Sequence, residues 1–211
     1  MELVSPQPVA RVMRLVSSAG AVIALCLVAV STAVAQRPSD LAGRKLSAVT
    51  VIDGITCGDT GRASAYFHPS GRLAECPLAT DTVLFGQRLP ARTWVELTID
   101  GRLRHAWLPY DVSLNGHRCL GRGYKQWSVL FHPSGALAFC YLPEETVIDG
   151  VPCQRGTFWN ELRGGGQSAA RFHENSRLQS CQAARSFELQ GRQFMKWQVV
   201  ELDPSGRLVS P

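Results

Sequence analysis

Three histidines stand at one position of a recurring pattern, directly before a turn: His68, His132 and His173. Imidazole nitrogens ligate metal ions and bind anionic groups, so a row of histidines along a repeat is a candidate for either kind of site. Thr98 and Asp203 fill the same position in two other copies of the pattern. This favours a structural interpretation, in which a polar residue begins each turn. Stacked units would also hold His68 and His132 two units apart, so the sequence predicts no shared metal site.

Signatures of catalysis and of cofactor binding are missing from the sequence. There is no Cys-x-x-Cys pair, no Gly-x-Ser-x-Gly elbow and no His-Glu-x-x-His motif. The acidic residues are scattered, and they offer no pair suited to glycoside hydrolysis. A Gly164-Gly165-Gly166 run lacks the Lys-Ser/Thr and the following helix that a phosphate loop requires. We therefore predict that the protein is not an enzyme and uses no metal or other cofactor.

Charge also limits the choice of partners. The 211 residues have a net charge of +5, and no run of Lys or Arg concentrates it. Spread charge of this size is typical of an ordinary soluble surface, so a nucleic-acid partner is not expected.

Tryptophans provide the candidate binding surface. Trp94, Trp127 and Trp197 stand near the start of the same strand in three copies of the pattern, while Trp107 and Trp159 lie elsewhere. An aromatic row could stack on sugar rings or receive a peptide, and packing in the core is the alternative role of such residues.

The positioning elements are β-hairpins that repeat along the chain. One turn has two residues, and Asp-Gly and Asn-Gly pairs indicate a type I′ hairpin because this turn needs positive φ at both positions. Its copies are Asp53-Gly54, Phe85-Gly86, Asn115-Gly116, Asp149-Gly150 and Gln190-Gly191. A second turn alternates with the first, at Pro69-Ser70-Gly71, Asp100-Gly101, Pro133-Ser134-Gly135, Glu174-Asn175-Ser176 and Pro204-Ser205-Gly206.

Apolar columns keep a fixed distance from these turns. The Leu column follows the second turn by two residues and contains Leu73, Leu103, Leu137, Leu178 and Leu208. A Phe/Leu column precedes it, with Phe67, Leu97, Phe131, Phe172 and Leu202. Alternation with polar residues indicates half-buried antiparallel strands, and no long helical periodicity appears.

The predicted fold class is therefore all-β, an antiparallel β-hairpin repeat forming a meander or a solenoid-like sheet. It contains five units of about 30–40 residues, which stack to share one core. The units cover approximately residues 46–78, 79–108, 109–142, 143–183 and 184–211 of a single domain, which follows a flexible lead-in at 36–45.

The first 35 residues have the composition of a secretory signal peptide. Arg11 and Arg14 supply the positive region, Ala19 to Val30 is an apolar run, and Ala33-Val34-Ala35 is an A-x-A cleavage site. A membrane anchor is the alternative, but the run is shorter than the ~20 residues that span a bilayer. We predict a secreted or periplasmic protein that starts at Gln36 and has no membrane span after cleavage.

Cysteine positions predict three disulfides. Six of the seven cysteines remain after cleavage, and an even number in an exported protein points to disulfides. Units one, three and four each contain one cysteine three residues after the first-turn glycine and a second one five residues after the second turn. Units two and five contain neither. Joint presence within a unit predicts the pairs Cys57–Cys76, Cys119–Cys140 and Cys153–Cys181. Pairing of Cys140 with Cys153 across a short connection remains the main alternative.

The units resemble bacterial β-hairpin repeats of the MORN type and related repeats of antitoxin-like and secreted proteins. The resemblance lies in Trp127, Phe131-His132-Pro133-Ser134-Gly135, Leu137 and their counterparts. It implies an antiparallel sheet with an interaction role. The units are longer than a MORN repeat and lack its Tyr-x-Gly-x-Trp core, so no residue takes a role from the family. The expected function is a binding or scaffold module for a protein or an envelope component, with glycan or cell-wall binding through exposed tryptophans as the alternative.

Overall fold

A computed structural model describes residues 41–58, 64–122, 127–157, 159 and 168–209. The segment assigned to the signal peptide lies outside these residues. The described residues form twenty β-strands: β1 Ala42–Lys45, β2 Thr50–Ile52, β3 Ile55–Cys57, β4 Ser64–Phe67, β5 Leu73–Pro77, β6 Thr82–Leu84, β7 Gln87–Leu89, β8 Trp94–Leu97, β9 Leu103–Trp107, β10 Val112–Leu114, β11 His117–Cys119, β12 Ser128–Phe131, β13 Leu137–Cys140, β14 Thr146–Ile148, β15 Val151–Cys153, β16 Ala170–Phe172, β17 Leu178–Gln182, β18 Phe187–Leu189, β19 Arg192–Phe194 and β20 Val199–Glu201.

The strands form one large sheet and five small ones. Ten strands pair in the order β1-β4-β5-β8-β9-β12-β13-β16-β17-β20, which is an antiparallel meander. The two-stranded sheets are hairpins: hairpin 1 is β2–β3, hairpin 2 is β6–β7, hairpin 3 is β10–β11, hairpin 4 is β14–β15 and hairpin 5 is β18–β19. The predicted all-β class and the meander are therefore confirmed.

The hairpin turns have the backbone that the sequence predicts. Asp53, Phe85, Asn115, Asp149 and Gln190 all have φ between 47° and 51°, and a glycine with positive φ follows each of them. Positive φ at both central residues is the requirement of a type I′ turn. The last residue of every second turn also has positive φ, including Ser176 at 64°, where the other turns have glycine.

A β-bulge recurs directly after the second turn. Strands β8 and β9 of the large sheet are joined by a second turn. Leu97 pairs with Leu103 but Glu96 pairs with His105, so Arg104 has no cross-strand partner. The same shift occurs between β4 and β5, β12 and β13, and β16 and β17. One extra residue changes the alternation of side chains. This is why the Leu column and the cysteine column, three residues apart, can both face the core.

Side chains of the first turns tie the hairpins to these bulges. The Asp53 carboxylate accepts the N–H of Leu73 at 2.8 Å, and the Asp149 carboxylate accepts the N–H of Leu178 at 2.7 Å. The amide oxygen of Asn115 receives the N–H of Leu137 in the same way, at 2.9 Å. These bonds satisfy backbone donors that the bulge removes from the sheet ladder.

The main core lies between the large sheet and the hairpins. It contains apolar residues from both layers, including the Leu column up to Leu178, which is at most 2% exposed. Burial weakens at the two ends, where Phe67 and Leu208 are only partly buried. The columns thus predict the core in the interior of the array better than at its ends.

Two boundaries differ from the sequence analysis. Ala42–Lys45 forms strand β1, paired with β4, although residues 36–45 were expected to be a flexible lead-in. All four residues are exposed and show no apolar alternation, so their sequence gives no strand signal. Among the described residues, the last unit contributes strand β20 to the large sheet, and a single bridge between Leu202 and Leu208 follows it.

Candidate functional site

The cysteines join the two layers within a unit. Sulfur–sulfur bonds connect Cys57 with Cys76, Cys119 with Cys140 and Cys153 with Cys181, which are the three pairs that the columns predict. Each bond links the second strand of a hairpin to a strand of the large sheet, and all six residues are at most 3% exposed. Disulfides of this kind are consistent with an oxidising compartment.

The histidine column connects neighbouring units. The Nε2–H of His68 donates to the carbonyl of Leu97 at 3.1 Å, and that of His132 donates to Phe172 at 2.9 Å. His173 makes the same bond to the carbonyl of Leu202 at 2.8 Å. Each acceptor belongs to the Phe/Leu column of the next unit. Within the described ranges, no three His, Cys, Asp or Glu side chains group as metal ligands.

Arginines after the second turn add further connections between units. The guanidinium of Arg72 donates to the carbonyl of Ile99 at 3.3 Å, and that of Arg102 donates to Pro133 at 2.7 Å. Arg177 donates to the carbonyl of Ser205. Unit three has Ala136 at this position, so no arginine bridges the junction between units three and four there.

The three predicted tryptophans do not form one row. Trp94 lies on strand β8, half-buried, and its indole N–H donates to the Glu75 carboxylate at 3.1 Å. Trp127 is 7% exposed and packs edge-on against Tyr141 in a small second core. Trp197 precedes β20 with φ of 74°, and the Lys196 ammonium lies 5.3 Å from its ring centroid. The three tryptophans therefore lie in three different environments, although they hold similar positions in the repeat.

Trp107, which the sequence analysis set apart, is the residue directly opposite Trp94. Next to them Glu96 pairs in register with both Glu75 and His105, and the His105 Nδ1–H donates to the Glu96 carboxylate at 3.0 Å. This face points away from the main core. This group of residues could not be predicted from the sequence, because its members come from two units and the bulge changes the cross-strand register.

Exposed apolar side chains mark the outer surface of the hairpins. The middle residue of the first hairpin strand is Val51 in hairpin 1, Val83 in hairpin 2 and Val147 in hairpin 4, with exposures of 67%, 63% and 59%. We call these three residues the valine column. Period-two alternation explains their orientation, since the residue that follows each valine, Ile52, Leu84 or Ile148, packs on the core. Ser113 and Glu188 occupy the same position in hairpins 3 and 5.

A cleft of about 440 Å³ opens between hairpins 3 and 4. Its walls include the aliphatic side chains of Leu142, Val147 and Ile148 together with the charged side chains of Arg118 and Glu144. Turn residues of units three and four also line the cleft: Gly116, Asp149 and Ser176. Val147 belongs both to the cleft and to the valine column, so the two features are continuous.

Ion pairs in and beside the cleft are solvent-exposed. Arg118 lies 3.7 Å from the Asp111 carboxylate and 3.6 Å from the Glu144 carboxylate, and its side chain is 60% exposed. Arg177 pairs with Asp149 at 3.3 Å. On the floor of the junction, the His117 ring stacks on Phe172 with centroids 4.2 Å apart. Its Nε2–H donates to the Ser176 carbonyl at 2.9 Å.

One carboxylate outside the cleft has a shifted pKa. The hydroxyl of Ser205 and the N–H of Arg207 donate to Asp203, and these hydrogen bonds hold the pKa of Asp203 below its ordinary value. The group lies in an exposed turn, so the shift reflects turn geometry.

Comparison with protein-family models, curated proteins and solved structures finds no match for this chain. The resemblance to MORN-type repeats therefore stays a prediction. Among the described residues there is no helix of the length and hydrophobicity that crossing a membrane requires.

Proposed function

We propose that the protein is a secreted or periplasmic, non-catalytic binding module that holds a protein component of the envelope or its surroundings. The hairpin layer is its docking surface. The observation that carries the proposal is the valine column, three exposed β-branched residues at one repeat position. An exposed apolar patch commonly marks an interaction site, and these three valines repeat one exposed position of the hairpins.

The energetics of the valine column suit a protein partner. Burying an exposed valine contributes about 1.5 kcal/mol or more. Three such residues supply several kcal/mol before the costs of association are subtracted. The valines lie on short strands that end in type I′ turns, and disulfides hold hairpins 1 and 4 to the large sheet, so little conformational entropy is lost when they bind.

The roles of the histidines support a non-catalytic assignment. His68, His132 and His173 were the strongest sequence candidates for chemistry, and each of them donates to a backbone carbonyl of the next unit. A histidine in such a bond serves to connect units. Export is supported by the residues of the signal-peptide pattern and by three disulfides that suit an oxidising compartment. N-terminal sequencing of secreted material should begin at Gln36, and material beginning at Met1 would contradict export.

Glycan binding is the second candidate, and one observation favours it. Trp94 and Trp107 face each other across β8 and β9, beside the partly exposed Glu96 carboxylate, while the Glu75 carboxylate is buried and accepts the Trp94 indole N–H. Rings next to hydrogen-bonding carboxylates are a common arrangement for sugar recognition. The site is different from the one first predicted, because Trp127 is buried in the second core. The two candidate functions therefore use opposite faces of the protein and can be tested separately.

The test changes each face without removing the fold. Val51, Val83 and Val147 are replaced together by Thr, which keeps the β-branched shape and adds a hydroxyl. Ile99→Thr is the matched control, because Ile99 is 55% exposed but lies at a second turn. Cross-linked partners are captured from an envelope extract, identified, purified and measured against each variant. The triple variant should weaken binding by about tenfold or more, as the loss of a few kcal/mol of burial requires.

A parallel arm measures sedimentation with peptidoglycan and with soluble polysaccharides. Retention that Trp107→Ala abolishes, and that the triple valine variant leaves intact, would establish the glycan function instead. A purified partner that binds the triple variant as tightly as the unchanged protein would refute the proposed docking surface.

A further inference from the structure

We propose that the cleft between hairpins 3 and 4 is a recognition site for an acidic residue on an extended segment of the partner protein. In this arrangement Arg118 binds the carboxylate, and the aliphatic wall receives the neighbouring apolar side chain. The inference rests on the proposed function, since it names the chemistry of the partner at one point of the docking surface.

The size and the lining of the cleft fit a short peptide segment. Its volume of about 440 Å³ lies within the range of ligand sites, which is roughly 300–1,000 Å³. Val147 provides the accessible apolar surface of the wall, with Leu142 and Ile148 buried behind it, and a few polar groups can fix orientation. Because Val147 also belongs to the valine column, the cleft adjoins the proposed docking surface.

The guanidinium of Arg118 has N–H donors that can bind a ligand. A guanidinium has five N–H donors in a planar fork that matches a carboxylate. The two ion pairs of Arg118, at 3.7 and 3.6 Å, are longer than hydrogen bonds, and the described residues provide no hydrogen bond to its guanidinium. Exposed pairs of this kind contribute little to stability. A ligand carboxylate can therefore displace Glu144, which is 69% exposed, at small cost.

The charges around Arg118 select a monoanion over a phosphate. Arg177 is already engaged by Asp149 and by the Ser205 carbonyl. Glu144 and Asp149 both line the cleft, so two carboxylates face any incoming anion. Attraction to Arg118 and repulsion from the carboxylates both grow with ligand charge. A monoanion that displaces Glu144 leaves the charge beside Arg118 unchanged, whereas a dianionic phosphate adds a negative charge near Asp111 and Asp149. The aliphatic wall likewise suits a peptide better than an inorganic ion.

The cleft lies at the junction between units three and four, where Ala136 replaces the arginine that follows the second turn in the other units. The guanidiniums of Arg72 and Arg177 lie against Gly101 and Gly206 of the next turn, so closely that a Cβ there would stand 2.4 or 2.3 Å from the nitrogen. Between units three and four the corresponding residues are Ala136 and Ser176. A side chain missing from one unit is thus matched by a Cβ in the next, and Ser176 becomes part of the cleft lining. Such paired departures from a local rule are expected at functional positions.

Peptide titration of the full mature protein, followed by amide ¹H–¹⁵N NMR, tests the site. The probe is the blocked tetrapeptide acetyl-Leu-Glu-Leu-Glu-amide, and acetyl-Leu-Gln-Leu-Gln-amide is its neutral counterpart. The acidic peptide should shift the amides of Gly116, Val147 and Ser176, and the neutral peptide should not. Arg118→Gln should weaken binding about tenfold or more, because hydrogen bonds to a charged group are lost. Arg88→Gln is the matched control, since Arg88 holds the same position in hairpin 2.

Every outcome bears on the inference. Equal shifts with both peptides, no shift at the cleft, or equal weakening by Arg118→Gln and Arg88→Gln would each overturn it. Inorganic phosphate is titrated in a separate arm, and cleft shifts from phosphate without shifts from the acidic peptide would reassign the site to a free anion. The valine-column experiment is independent of this one. Partner binding that depends on the valine column but not on Arg118 would refute the cleft assignment and leave the proposed function standing.

Discussion

Removing the disulfide Cys119–Cys140 is the sharpest test of how the layers are held together. The protein contains its own template for the replacement, because unit two has Leu89 and Ala106 in the same two positions, both fully buried. Two double variants can therefore be compared. One has Ala at both positions, and the other has Leu at 119 and Ala at 140.

The expected magnitudes follow from the loop length and from burial. The bond closes a loop with a sequence separation of 21 residues. In the chain-entropy model, a loop of this size stabilises the folded state by about 3 kcal/mol. Leu in place of Ala at a fully buried position restores about 2 kcal/mol of apolar burial. The Ala/Ala variant should thus lose about 3 kcal/mol or more of unfolding free energy, and the Leu/Ala variant should recover most of the difference.

Urea denaturation followed by tryptophan fluorescence measures both values, and non-reducing peptide mapping verifies that the other two bonds stay intact. Equal stability of the Ala/Ala variant and the unchanged protein would mean that the bond does not restrain the unfolded chain as assumed. A Leu/Ala variant no more stable than Ala/Ala would show that unit two is not a valid template, and that the units are not equivalent in packing.

Three further outcomes are expected. Leu137→Ala should cost about 2–5 kcal/mol in urea denaturation, since it leaves a cavity at a fully buried position. His132→Ala should cost about 1 kcal/mol through loss of the bond to the Phe172 carbonyl, and zinc should leave the melting temperature of the unchanged protein unaltered. Asp203 has a lowered pKa in the folded state, so its stabilising contribution is present above the unfolded pKa and is lost as the pH falls through the folded one. NMR titration should place this pKa below that of an unstructured peptide, and Ser205→Ala should raise it.

Each of these outcomes has a clear opposite. Arg102→Ala is the control for the cavity, because it removes only an exposed bond to the Pro133 carbonyl. Equal costs for Arg102→Ala and Leu137→Ala would mean that the register of the core is wrong. Thermal stabilisation by zinc that His132→Ala removes would restore the metal-binding interpretation of the histidine column. An Asp203 pKa unchanged by Ser205→Ala would contradict the hydrogen bond as its main cause.

The turns, the core columns and the disulfides were predictable because each is a local pattern that the repeat displays several times. A first turn such as Asn115-Gly116 fixes positive φ by residue type alone. The pairing Cys153–Cys181 follows because presence and absence of the two cysteines coincide within a unit. Strand β1 was not predicted from the sequence, because all residues of Ala42–Lys45 are exposed and only backbone pairing with β4 defines the strand.

The candidate sites were harder to predict, because they depend on the register between strands and on contacts that no sequence pattern displays. Trp94 and Trp107 face each other only because the bulge at Arg104 shifts the pairing of β8 and β9. The bonds of the histidine column end at carbonyl groups, which every residue possesses and no side-chain pattern reveals. The cleft beside Arg118 gathers residues that lie far apart in the sequence, from Gly116 to Arg177, and no local pattern brings them together.

The hydrogen bonds between units give the array a direction. His68, His132 and His173 each donate forward, to a carbonyl of the following unit. Asp203 fills that column in unit five. Its carboxylate accepts hydrogen bonds from Ser205 and Arg207 inside its own turn and donates none. If gene duplication inserted a copy of a histidine-containing unit ahead of unit five, its histidine could therefore donate to the same carbonyl of unit five. Thr98 fills the column in unit two and likewise accepts the N–H of Arg102 inside its own turn, so a unit without the forward donor already stands within the array. Each forward bond is therefore a property of the single junction that it crosses and not a condition on the whole array.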